Sequence, residues 1–327
     1  MKAGLHVYCE KPIAATTQEV DDLIAVQKET GKKVAIGFQY IPSRSIQELK
    51  ARICDGRLGC VKAAKLMCCW PRSENYFARN DWAGKLRIGE RWILDSPANN
   101  AHAHFLFNLL YLSSSQANRA ANPTKLQAGL YRANHIESAD LAQLRFETDT
   151  GARCFAMLSH CGWKRLGPIM HLQCEKGGAI WQQDWGETRV SYHNGRTEEF
   201  VNDRCDEWRY RIVRDFAISI LENRQPICPP ELARSHTLTI NAMHESCPEI
   251  NTIPDEFIIE AEEIEDYPPY EKALFRRVEN HDDAMRRAFA EMKLFSELGQ
   301  PWAQETHSYE TDAKGYSFFP KLGKNIL

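Results

Sequence analysis

Apolar and polar positions change period several times along the chain, and each change marks an element. Near the amino end, Val7 and Tyr8 open a short β-forming run that stops at Glu10-Lys11-Pro12. Thr16 and Thr17 follow as N-cap candidates, with Glu19 placed to close a capping box from Thr16. Val20, Leu23, Ile24 and Val26 then recur at helical spacing as far as Gly31, and residues 33–38 read as a second, buried strand. Strand, helix and strand in this length predict one right-handed crossover unit of a parallel sheet. Glu10-Lys11-Pro12 thereby falls just past the carboxyl end of the first strand, where open α/β sheets hold their ligands. Met1-Lys2-Ala3-Gly4 reads as the last turn of a helix with a glycine cap, so the chain is expected to open inside a structural unit of a longer protein.

Ile46, Leu49 and Ile53 give the next helical stripe, ended by Asp55-Gly56, and residues 61–70 are strand-like. Ser96 before Pro97 is an N-cap and first-turn signature, and the predicted helix runs from there to Leu112. Over 123–200 the signals are mostly β. Asp149-Thr150-Gly151, Glu175-Lys176-Gly177-Gly178 and His193-Asn194-Gly195-Arg196 are hairpin marks, and hairpins in series predict an antiparallel sheet. One face of that sheet is expected to carry helices. The other, if apolar, would meet a second copy of the chain. Trp163, Trp181 and Trp185 suit sheet packing and ligand contact equally. Tyr210, Val213, Phe216, Ala217, Ile220 and Leu221 make an amphipathic helix, and another is expected over 231–246. The acidic stretch 255–271 reads as a solvated edge or linker. Leu274, Val278, Met285, Phe289, Met292 and Phe295 predict a last helix over 272–298, stopped at Gly299-Gln300-Pro301.

Composition narrows the classes. A net charge of −3 gives no basic footprint for nucleic acid. No apolar run approaches the roughly 18 residues that a membrane span needs, and no signal peptide is visible. Eleven cysteines, odd in number and without C-x-x-C, read as reduced thiols, which points to a cytoplasmic protein. His160-Cys161 is read as a strand end, and no metal site is expected.

Two stretches carry candidate chemistry. Residues 76–85 form a polar-aromatic loop, in which Arg79 and Lys85 suit a carboxylate or phosphate and Trp82 suits the face of a sugar. The block from Trp92 to His104 holds Asp95, Asn99 and His102. On a helix starting at Ser96, Asn99 and His102 share a face, Asp95 lies near it, and His104 points away.

The strand with Glu10-Lys11-Pro12, the helix after it and Gly37-Phe38-Gln39-Tyr40 together resemble the end of the nucleotide domain of the Gfo/Idh/MocA family. That family comprises NAD(P)-dependent sugar and polyol oxidoreductases. The segment Asp95-Ser96-Pro97-Ala98-Asn99 resembles its G-G-G-x-x-x-D-x-G-x-H motif, with Pro97 at the later glycine and Asn99 at the histidine. The resemblance implies an α/β (α+β) chain. Residues 1–38 would be the remnant of a Rossmann-like βαβ unit. Residues 39–327 would be a mixed, largely antiparallel open-sheet substrate domain with helices on one face and a C-terminal helical extension.

The resemblance also implies roles. NAD or NADP would be the cofactor, with Glu10, Lys11, Pro12 and Gln39 at its nicotinamide edge and a cis Lys11-Pro12 bond. Arg79, Asn80, Trp82, Lys85 and Asn99 would hold a small sugar or polyol. Asparagine cannot take a proton at neutral pH, so the base is assigned to Lys11, with Asp95 orienting the substrate or Lys11 and His102 as a substrate ligand or as the rival base. The family's G-x-G-x-x-G turn is absent from these residues. The chain is therefore expected to be truncated by roughly 100 residues at its amino end and not to bind NAD alone. Two other readings stay open: an NAD-dependent glycoside hydrolase of the same fold, and a non-catalytic remnant that binds sugar or a partner. A homo-oligomer through the open sheet face is expected, with no nucleic acid and no membrane as partner.

Overall fold

The computed structural model describes residues 1–183, 186–203, 205–264, 270–312 and 316–318. Strand β1 (Val7–Cys9) and strand β2 (Val34–Ile36) pair in parallel, joined by helix α1 (Thr17–Thr30). The expected capping box is present. Thr16 Oγ1 accepts the Glu19 N–H at 3.4 Å, and the Glu19 carboxylate accepts the Thr16 N–H at 2.9 Å. Gly31 ends the helix at φ 63°, a left-handed conformation that costs glycine little.

The chain continues through α2 (Arg44–Cys54), β3 (Val61–Cys69), α3 (Glu74–Ala78), the short pair β4 (Arg87–Ile88) and β5 (Arg91–Trp92), and α4 (Ala103–Leu112). Then come the strands β6 (Pro123–Arg132), β7 (Leu141–Thr148), β8 (Arg153–Ser159), β9 (Leu166–Cys174), β10 (Gly177–Gln182), β11 (Glu187–Tyr192) and β12 (Thr197–Val201). Helices α5 (Cys205–Leu221) and α6 (Pro230–Ser246) follow, and after them β13 (Asn251–Thr252), β14 (Ile258–Ile264), β15 (Lys272–Val278), α7 (His281–Glu291) and β16 (Ser308–Glu310). One ten-stranded sheet dominates, in the order β12-β11-β10-β9-β3-β8-β7-β6-β13, with β16 also on β6. The β3/β8 and β6/β13 pairs are parallel and the rest antiparallel, as a mixed, largely antiparallel sheet requires.

Helices α2, α4 and α6 cover one face, and the first βαβ unit shares their core. Val20, Ile36 and Phe38 belong to the same buried cluster as Leu49, Phe107, Leu144 and Leu158. Fastening is specific as well as apolar. The Ile36 N–H donates to the Cys228 carbonyl at 2.8 Å, and Asn241 of α6 accepts from the Thr17 N–H and donates to the Ala15 carbonyl. Lys50 of α2 places its ammonium on the Tyr111, Ser114 and Arg119 carbonyls at 2.5–3.1 Å, which ties the end of α4 to the loop that follows it.

Three expectations need correction. The helix expected over 272–298 is strand β15, a turn and the shorter α7. Leu274 and Val278 fit a helical spacing, but Ala273, Phe275 and Arg277 alternate with a period of two, and that period wins because a partner strand is available. The partner is the acidic stretch itself. Glu260, Glu262 and Glu263 of β14 pair across the hairpin with Arg276, Lys272 and Arg277, so this run is half of a hairpin rather than a linker. The second correction concerns Ser96-Pro97. Ser96 Oγ does accept the Asn99 N–H at 3.2 Å, but residues 97–102 are turns and the regular helix begins at Ala103.

The third concerns the second sheet face, which is not bare. Helix α7 lies on β3 and β8, and Met285, Phe289, Phe295 and Trp302 pack on Met67, Tyr131, Phe155 and Met157. The chain covers much of the apolar part of this face by itself. What stays open mixes Lys65, His171, Gln173 and Arg189 with Ile180 and Met292. Trp181 is buried in the sheet core with Nε1 on Ser45 Oγ, Trp163 donates to the Val278 carbonyl, and Trp185 lies outside the described residues. No helix among the described residues is long and apolar enough to cross a membrane.

A hydrogen-bond chain fastens α7. His281 Nε2 meets Ser159 Oγ at 2.8 Å, and His281 Nδ1 meets Asp282 Oδ1 at 3.0 Å. Serine, histidine and aspartate stand in the order of a hydrolase triad, but Ser159 and His281 are fully buried, so the chain is a clasp. Gly162 is packed against it, and a Cβ there would overlap Cys69 Sγ and stand 2.8 Å from His281 Nδ1. Gly162→Ala should therefore destabilise the fold by about 1–3 kcal/mol. Urea unfolding of the variant measures this, and an unchanged midpoint would contradict the clasp.

Candidate active site

The site forms where the ends of β1 and β2 face the 94–100 segment. Glu10 stays exposed, with its carboxyl over Gly37, where a Cβ would stand only 3.0 Å from Oε2. The Lys11-Pro12 peptide is cis. Lys11 runs inward, and Nζ donates to the Asn100 carbonyl at 2.7 Å and to Asn100 Oδ1 at 3.3 Å. The other end of that amide, Asn100 Nδ2, donates to Asp95 Oδ1 at 2.9 Å. Asp95 Oδ2 accepts the Gly84 N–H at 2.6 Å, which draws the 82–86 loop over the carboxylate.

The segment takes this path because its polar side chains bind its own backbone. Asn99 Nδ2 donates to the Ile93 and Leu94 carbonyls at 3.3 and 3.1 Å, and Leu94 adopts φ 52°, unusual for a leucine. Ser96 accepts the Asn99 and Asn100 N–H groups through its carbonyl. Asparagine and serine bind their own backbone readily in turns, and helix gives way here.

Lys11, Pro12, Trp82, Trp92, Asp95, Asn99 and Asn100 line a cavity of about 290 Å³. Burial pushes the Lys11 amine down to about 8, Glu10 and Asp95 oppose that shift, and Arg79 adds to it. Burial pushes Asp95 up, against the Gly84 N–H, Asn100 and the Arg79 and Lys11 charges. An amine that gives up its proton near neutrality can take one from a bound hydroxyl.

The expected site residues divide into those at the cavity and those elsewhere. Lys11, Pro12, Asp95, Trp82 and Asn99 are at the cavity, whereas Glu10 does not line it and lies over Gly37. Arg79 stacks on Tyr76 at 3.7 Å and on Trp82 at 5.0 Å, so it carries the Trp82 wall. Asn80 Oδ1 accepts the Trp82 and Ala83 N–H groups and shapes the loop. Gln39 is half-buried and does not line the cavity. Lys85 pairs with Glu137 at 2.7 Å and faces a separate cavity of about 450 Å³ beside His135 and Arg276.

His102 is also elsewhere. It precedes α4 instead of continuing a helical face with Asn99, and it is 0% exposed. Its ring lies 5.1 Å from that of Trp70 and 4.9 Å from that of His160, and neither nitrogen has a hydrogen-bond partner among the described residues. Sequence reasoning passed over Asn100. The available signal was the paired asparagine after Ser96-Pro97, had the segment been read as turns. Among the described residues, no three His, Cys, Asp or Glu side chains are placed to hold a metal ion.

The buried histidines give a pH prediction. Burial holds His102 well below its usual range, His160 at about 3, and His236 and His244 at about 4. Above pH 6.5 these rings are neutral, folded or unfolded. Below it the unfolded chain gains protons that the fold refuses, so stability should fall from about pH 6.5 towards about pH 4. His102→Phe should stay folded at pH 8 and lose less stability on acidification, since it removes one such ring without removing a hydrogen bond. Urea midpoints across this range measure both effects, and an acid loss identical to the wild type would contradict the placement of His102.

Comparison with known proteins agrees with this geometry. Residues 1–38 match the GFO_IDH_MocA family model, described as an oxidoreductase family with an NAD-binding Rossmann fold. The uncharacterized oxidoreductase YfiI of Bacillus subtilis (strain 168) is 25% identical over 95 residues, 29% of this chain and 23% of that protein. Inositol 2-dehydrogenase of Azotobacter vinelandii is 38% identical over 60 residues, 18% of each chain. The matched stretches thus span less than a quarter of these curated relatives. Among solved structures, UDP-N-acetylglucosamine 3-dehydrogenase GnnA of Acidithiobacillus ferrooxidans has a TM-score of 0.59 at 19% identity, over 73% of this chain and 70% of that one. The WlbA dehydrogenase of Bordetella pertussis, solved with NADH and UDP-GlcNAcA, has a TM-score of 0.59 at 18% identity, over 74% and 70%. An Agrobacterium radiobacter oxidoreductase, solved with NAD+ and L-tartaric acid, has a TM-score of 0.60 at 15% identity, over 75% and 71%. At these identities the likeness establishes the fold.

Proposed function

We propose that this chain carries the proton-transfer and substrate-holding part of an NAD(P)-dependent oxidoreductase acting on a sugar, polyol or related hydroxylated molecule. The observation that carries the reading is a half-buried lysine, with its amine lowered to about 8, at the carboxyl end of a parallel βαβ unit and in a cavity walled by tryptophans. The match of residues 1–38 to an NAD-binding family supports it.

The residues present fit the nicotinamide end of such a cofactor. Gly37 leaves room beside the Glu10 carboxyl that a side chain would fill, and Lys11 and Pro12 border the cavity. No G-x-G-x-x-G occurs in the sequence, so we place the pyrophosphate contacts outside these 327 residues. When bound, the nicotinamide supplies the hydride acceptor or donor. Lys11 in its neutral form accepts the hydroxyl proton at Nζ. Asn100 holds that nitrogen in place, and Asp95 fixes Asn100. Trp82 and Trp92 present flat apolar faces for the carbon skeleton and exclude water, and Arg79 keeps Trp82 in position.

The test uses the chain joined to the sequence that supplies the glycine-rich turn, assayed for NAD(P)H formation on a panel of aldoses, polyols and sugar acids. Lys11 works deprotonated in the oxidative direction, so kcat/KM should rise with pH and level off above about 8. Lys11→Ala should lower turnover by about 10²–10⁴. A Lys11→Ala enzyme within about tenfold of wild type would fall outside that range and overturn the assignment.

A further inference from the structure

We propose that Asn100 is a positioning residue whose side-chain amide stands between the Lys11 amine and the Asp95 carboxylate, holding one at each end and preventing a direct ion pair. The contacts of both groups carry the argument. Lys11 Nζ bonds two neutral oxygens, both belonging to Asn100, and no carboxylate among the described residues lies within ion-pair distance of it. Asp95 takes one N–H from Asn100 Nδ2 and one from the Gly84 backbone. A primary amide is an acceptor at one end and a donor at the other and carries no charge, so it can bridge an ammonium and a carboxylate without becoming an ion. Aspartate at this position would put an anion on Nζ. The backbone is fixed independently, since the Asn100 N–H donates to the Ser96 carbonyl at 2.9 Å.

The consequence is a tuned amine. A carboxylate in contact with a lysine stabilises its charged form. Here that contact is replaced by dipoles, and burial leaves the amine at about 8. The charges that act on it are Glu10 and Asp95, which raise it, and Arg79, which lowers it. The nearby imidazoles His102, His104 and His236 are held neutral by burial. The use of such an amine in hydride-transfer chemistry rests on the function proposed above, whereas the spacer arrangement does not.

The experiment therefore needs neither cofactor nor substrate. The 327-residue chain is labelled with limiting acetic anhydride across the neutral-to-alkaline range, and mass spectrometry of the Lys11 peptide follows the titration of that amine. Wild type should titrate near 8. Asn100→Asp, nearly isosteric, should move the midpoint up by about 1–3 units. Asp95→Asn should move it by less than about one unit, because Asp95 acts only through its field. A folded Asn100→Asp chain with an unmoved Lys11 overturns the proposal. So does an Asp95→Asn shift as large as that of a contact ion pair, and this second arm decides the matter alone if Asn100→Asp fails to fold by circular dichroism. An enzyme with no detectable turnover would leave both arms readable.

Discussion

The burial of the Lys11 amine is the constraint on which the rest of the site depends. A lysine charge away from water needs either a partner ion or enough polar oxygen to stand in for hydration. This chain uses the oxygens of one asparagine. That choice requires the 94–102 segment to leave helical geometry, because Asn100 must present its carbonyl and its side chain to the same nitrogen. It also requires the 82–86 loop to close over Asp95 through the Gly84 N–H. Arg79, Asn80 and Lys85 belong to that closure: each holds the loop or its neighbour rather than reaching the cavity.

Local physics made much of the fold legible in advance. The Thr16–Glu19 capping box, the Gly31 stop, both parallel strands and the hairpin marks after residue 123 are short-range features, and the structure has them where their residues predict. What failed was long-range or degenerate. Leu274 and Val278 satisfy two periods at once, and the choice was made by Glu260, Glu262 and Glu263 on the opposing strand. Ser96-Pro97 looks like a helix start and does begin a turn. The regular helix waits for Ala103, while Asn99 and Asn100 bind groups that helical spacing does not bring near. Asn100 meets a partner 89 residues away, beyond the reach of any window along the sequence. His102 shows the converse: a residue of the right chemical type, near the right segment, whose ring is enclosed by Trp70 and His160.

The two faces of the large sheet are handled differently. One takes three helices and the first βαβ unit into a single core. The other takes α7 and residues 292–302 over much of its apolar surface, held by the Ser159–His281–Asp282 clasp, and leaves polar side chains and Ile180 on the rest. Contacts made on the remainder would combine apolar Ile180 with the charge and hydrogen bonds of Lys65 and Arg189.

The bond between Asn241 and the Thr17 N–H has a consequence for the order of events during synthesis. It joins residues 224 apart, and the Cys228 carbonyl that receives the Ile36 N–H is nearly as remote. The strand–helix–strand of residues 7–36 leaves the ribosome well before α6 and lacks these partners until α6 has followed. It is without these two bonds while most of the large sheet is being made. The part of the molecule that carries Lys11 is thus translated well before the bonds that fasten it can form.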